Sequence, residues 1–236
     1  MTPVLVWSVA VACAGFFVLP RPVWRLVTRY LVTAAHEAGH ALVASVLTAS
    51  TPKIRLRADT SGVTRFPACS GLRMFLICIA GYPAPGFLGL LGVMAVATGH
   101  PRWWLWGLVG LAAVEAFAMV RNVFGWLMTV AWAAGLWAVL THAGHALPQY
   151  VGAAVAAGLL AGGFRTVVEL TKSDDDPASD LSKAEELADL PRPVMLVGLW
   201  ALLVAEMSAA VYLILEPGFV PQLVTSIEHG VRGAGL

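Results

Sequence analysis

Charged side chains are what this chain has least of. Asp, Glu, Lys and Arg make up 12% of its 236 residues, against roughly 25% in a soluble domain. With 58% apolar residues and a mean hydropathy of +0.77, that scarcity excludes a soluble globule and indicates a polytopic membrane protein. Net charge is +1 and there is no dense basic stripe, which excludes nucleic acid as a partner. Cysteine is scarce as well. Cys13, Cys69 and Cys78 are odd in number and lack metal-type spacing, so neither a disulfide framework nor a thiolate zinc site is expected. No Lys or Arg precedes Arg21 and the first apolar run closes at Leu19-Pro20, so no cleavable signal peptide is expected. No internal repeat is evident.

What the chain does have is long apolar runs. A helix needs roughly 20 such residues to cross about 30 Å of hydrocarbon. Candidate spans lie at 4–19, 24–48, 72–98, 150–170 and 194–215, and the run 103–140 is long enough to be split in two at Arg121-Asn122. The third is interrupted by Gly81-Tyr82-Pro83-Ala84-Pro85-Gly86, where two prolines break the helix. Between the second and third, alternation with period two on either side of Asp59-Thr60-Ser61-Gly62 predicts a β-hairpin over 52–66. The segment 171–192 is soluble in character and holds seven of the fourteen acids. Ser182-Lys183-Ala184-Glu185 there has the form of a capping box opening a helix to Leu190. The expectation is an all-α polytopic membrane protein with about six to seven transmembrane helices, a small β-hairpin after the second, and one membrane-embedded domain over 1–236.

Basic residues orient this layout. With seven spans and a cytoplasmic N-terminus, ten of the fifteen Lys and Arg fall inside, and so do the hairpin and the acidic loop.

Within the second span stands His36-Glu37-Ala38-Gly39-His40. Polar residues in a membrane helix are costly, so three within five positions call for a function. Two histidines four apart share one helix face. They can grip one zinc ion while Glu37 acts on a water as general base. Gly39 lets a neighbouring element approach that face. A catalytic zinc also wants a third protein ligand. Asp180, in Ser179-Asp180, is the first choice because it follows a span on the correct side, with Asp176, Asp174 and Glu169 as alternatives.

These elements resemble the site-2 protease family of intramembrane zinc peptidases, and more narrowly a bacterial branch of predicted membrane peptidases. The resemblance rests on the pentapeptide, the hairpin after it, the Gly-Tyr-Pro-x-Pro-Gly turn, the Arg121-Asn122 pair and Ser179-Asp180. The chain departs from the family in having no Asp-Gly or Asn-Pro, the usual setting of the third ligand. The resemblance implies a zinc endopeptidase of a bacterial cell membrane, acting on membrane proteins or peptides within the lipid bilayer.

Other residues remain open. Asn122 could donate to the oxyanion of the attacked carbonyl, and Arg121 could position substrate or pair with Glu115. Both also suit an interfacial turn. His142 and His145 read as an interfacial loop, and the tryptophans at 103, 104 and 106 as interfacial anchors. Glu206 is alone in the final span, where it could pair across helices or serve a site. Two alternatives to the peptidase stand: an inactive membrane metal-binding scaffold or regulator, and a transporter.

Overall fold

The helix that carries the pentapeptide, α1 (Tyr30–Thr48), lies at the centre of the arrangement that positions the site. A computed structural model describes residues 29–144, 146–172, 179–216, 218–219 and 222 of the chain. The span expected at 4–19, the start of the next one, Cys13, His145, Asp174 and Asp176 lie outside these described residues.

Helix α1 stops at Ala49, whose φ of 48° is left-handed. The chain then forms β1 (Lys53–Leu56) and β2 (Gly62–Arg65), an antiparallel hairpin with Ile54 opposite Thr64 and Leu56 opposite Gly62. Asp59 shapes the turn by accepting from the Ser61 amide (2.9 Å) and hydroxyl (2.6 Å). Alternation of the strand then points Ile54 and Leu56 inwards, while Lys53 and Arg55 stay exposed.

The predicted interruption is present. Helix α2 (Gly71–Ala80) and helix α3 (Ala84–Ala97) are bent by 57° across three residues. Pro83 and Pro85 lack amide hydrogens, so neither can continue the α2 ladder, but both suit the start of a new helix. Helix α4 (Pro101–Val114) runs on through a π-helical turn, Glu115–Met119. Val120 and Asn122 are extended before α5 (Val123–His142) begins, so the break falls beside Arg121-Asn122. There Val120 bridges to Ile54, and the Arg121 amide donates to the Ile54 carbonyl at 2.9 Å. The junction between α4 and α5 therefore covers the outer edge of β1.

Helix α6 (Leu147–Lys172) is the central one. Of its most apolar stretch 67% is buried, against 22% and 28% for α5 and α8 (Arg192–Leu215), which leaves much of those two facing lipid. Among the described residues α5, α6 and α8 are the three helices long and apolar enough to cross a bilayer, and α2 with α3 makes a fourth if the bent pair is one span. Of the six to seven crossings expected from sequence, three or four are thus matched among the described residues, with the span expected at 4–19 outside them. Helix α4 has only 14 residues before its π turn, and α1 carries the polar pentapeptide.

A short helix, α7 (Asp180–Ala188), precedes α8. It starts earlier than the expected capping box. Ser179 is the cap, its extended backbone letting Oγ accept from the Ser182 amide at 3.1 Å. Leu181 and Ala184 are fully buried with Cys78, Tyr82, Met195 and Leu199, so α7 is seated on the membrane helices rather than hanging in solvent.

Candidate metal centre

One turn of α1 separates His36 from His40, and their Nε2 atoms lie 3.0 Å apart. Asp180, at the first turn of α7, reaches His40 Nε2 with Oδ2 at 3.2 Å. One donor atom from each of His36, His40 and Asp180 falls within 4.8 Å of the others. His40 is fixed from behind, because its Nδ1 lies 2.6 Å from the Ile77 carbonyl of α2. A backbone acceptor there requires Nδ1 to carry the hydrogen, which leaves Nε2 as the nitrogen that faces His36 and Asp180.

Close approach needs small residues on both sides. A Cβ at position 39 would come within 2.6 Å of the Ala80 carbonyl, and one at 81 would overlap the Nε2 atoms of both imidazoles. Helix α1 and the break between α2 and α3 meet through these two glycines.

Glu37 is 4% exposed and turns towards the hairpin. The Thr64 hydroxyl donates to Oε2 at 2.5 Å, and a Cβ at position 62 would lie 2.5 Å from Oε1. Strand β2 thus runs directly across the carboxylate. Two cavities flank the cluster, and Glu37, Gly62 and Asp180 line both. One of 220 Å³ opens towards Thr33, Thr60 and Arg165, the other of 250 Å³ towards Phe66, Ile77 and Lys183.

Burial alone would raise the pKa of Asp180. The hydrogen bond and charge of His40, with Lys183 3.4 Å away, outweigh it and hold the carboxyl below its usual range. Asp180 is therefore an anion at neutral pH, as a metal-ligating carboxylate must be.

Other predicted residues lie elsewhere. Glu169 makes ion pairs with Arg165 (3.3 Å) and Arg29 (3.9 Å) at the mouth of the first cavity. Asn122 is at the outer edge of β1, where its amide donates to the Leu56 carbonyl (2.7 Å) and accepts from the Leu56 amide (3.2 Å). Arg121 donates to the carbonyls of Val120 and Ala118. Glu115 is buried and lines an apolar cavity beside α1. Glu206 lies against Gly86 at the start of α3. His142 is exposed and bonds to Thr141. Thr64 as the partner of Glu37, and the Ile77 carbonyl behind His40, are not foreseeable from sequence. Gly81 is visible there only as part of the break.

The model of the peptidase M50B-like family matches residues 8–212. The chain belongs to that family. Its members are peptidases of the site-2 protease kind, and the apolar helices agree with an integral membrane protein. Neither the curated proteins nor the solved structures contain a match to this chain.

The donor set of this peptidase M50B-like chain suits zinc. Two imidazole nitrogens and one carboxylate oxygen are ordinary zinc ligands, and a tetrahedral ion with bonds of about 2.0–2.1 Å separates its donors by roughly 3.3 Å. The separations of 3.0 and 3.2 Å are close to that.

Proposed function

We propose that this peptidase M50B-like protein is a zinc-dependent endopeptidase cleaving peptide bonds of membrane-embedded or membrane-associated substrates. The convergence of His36, His40 and Asp180, with Glu37 one residue from the first, carries the reading. The three would hold the ion. When bound, zinc lowers the pKa of a water towards neutrality and polarises the scissile carbonyl.

The chain's own residues supply the rest. Glu37 is the general base: it takes a proton as the water oxygen bonds to the carbonyl carbon. It then returns that proton to the amide nitrogen as the C–N bond breaks. The Thr64 hydroxyl on Oε2 fixes the carboxylate for both transfers.

The hairpin presents the substrate. In an antiparallel pair, alternate residues turn their backbone groups away from the partner strand. Ile54 and Leu56 do so on β1, where Arg121 and Asn122 meet them. Their opposite numbers Thr64 and Gly62 then turn theirs outward along β2. These are the residues that touch Glu37. An extended peptide added to that edge would pass the base and run from one cavity to the other. Asn122 supports this as the residue holding β1, in place of the oxyanion contact expected from sequence. A bacterial cell membrane, six to seven crossings in the whole chain and a cytoplasmic N-terminus complete the proposal.

The test is cleavage of a labelled synthetic transmembrane peptide by the purified full chain. Glu37→Gln should lower the rate by at least about 10²-fold while zinc stays near one per chain. Cleavage by that variant at the wild-type rate would refute the reading.

A further inference from the structure

We propose that Tyr82 is the positioning residue that registers Asp180 against the two imidazoles; this rests on the zinc peptidase reading above. Asp180 comes from a nine-residue helix separated by 140 positions from His40, so something must fix it to the membrane helices. Tyr82 touches both halves. Its ring meets that of His36 edge-on, centroids 5.1 Å apart at 78°. Its hydroxyl oxygen accepts a hydrogen bond from the Leu181 amide at 3.1 Å, one residue beyond the ligand.

The bond satisfies a need of α7. The first amides of a helix have no partner within it. Ser179 takes the Ser182 amide, and Tyr82 takes that of Leu181, which is fully buried and out of reach of water. The N-terminal turn of α7 is therefore capped from within the broken membrane helix, and Asp180 is the first residue of that turn. Tyr82 is itself buried and lines neither cavity beside the cluster. It therefore acts through Asp180 and not on substrate. Removing the hydroxyl leaves the ring packed with Leu181 and Ala184, so Tyr82→Phe retains the apolar contact that seats α7.

The experiment uses the full chain in detergent. Hydrogen exchange of the Leu181 amide in chelator-treated protein should quicken roughly fivefold in Tyr82→Phe. Zinc affinity by chelator competition should fall at least about tenfold, as for other residues behind a metal ligand. The visible spectrum of the cobalt-loaded protein should move towards that of Asp180→Ala. In the Asp180→Ala background, Tyr82→Phe should change affinity less than twofold, whereas general destabilisation would lower it in both backgrounds. Unchanged exchange, unchanged affinity or an equal loss in both backgrounds overturns the inference while zinc binding by the wild type stands. A wild-type chain that binds no zinc overturns the peptidase reading and this inference with it.

Discussion

A methyl group at position 81 would occupy the space of both imidazole Nε2 atoms. The backbone there is right-handed helical (φ −65°, ψ −36°), open to any residue, so Gly81→Ala tests side-chain room alone. Its zinc affinity should fall at least about tenfold by chelator competition, with helix content by circular dichroism unchanged. Gly86 poses the complementary case. A Cβ there would overlap Glu206 Oε2, a buried oxygen with no hydrogen bond among the described residues. Although alanine is the better helix former, Gly86→Ala should destabilise by about 1–3 kcal/mol through overpacking, seen as a lower thermal midpoint. None of these close approaches is readable from sequence. A glycine in a membrane helix announces contact, not its partner.

At the scale of elements, what was legible is what neighbouring residues encode. Strands write their two faces into adjacent positions, so the hairpin and its Asp59-Thr60-Ser61-Gly62 turn are visible as alternation around a turn signal. Pro83 and Pro85 mark the break between α2 and α3 because proline removes helix donors locally. The start of α7 was less clear, since both Ser179 and Ser182 have the chemistry of a cap. The amide of Ser182 serves as donor to Ser179, so it lies inside the helix. What joins elements was not legible. Asn122 meets Leu56 across 66 positions, and no local pattern marks that pairing. Removing both bonds with Asn122→Ala should loosen β1 at a cost of about 1–3 kcal/mol. In kinetics it should raise KM for a peptide substrate while zinc content stays constant. N-methylation of the substrate amides flanking the scissile bond should lower kcat/KM at least about tenfold if that peptide pairs with β2.

On the scale of the whole molecule, hairpin and α7 converge on the middle of α1, because β2 contacts Glu37 and Asp180 contacts His40. In the proposed layout they share a side of the membrane. In a cysteine-free background, single cysteines at Asp59 and Glu186 should react with an impermeant thiol reagent from the same face, the cytoplasmic one in the proposed orientation. Helix α6 is the buried axis around which the lipid-facing α5 and α8 are placed. Composition foretold the membrane setting, but not which helices face lipid, since every helix in such a chain is apolar. Nor could sequence show that α1, too polar for a simple span, is closed in by the hairpin, the broken helix and α6.

The measurement that bears most directly on the centre is zinc content of the purified full chain beside His40→Ala and Asp180→Ala. The account predicts about one zinc per wild-type chain, none in His40→Ala, and affinity lowered at least about tenfold in Asp180→Ala. Equal zinc content and affinity in all three proteins, or none in the wild type, would contradict it.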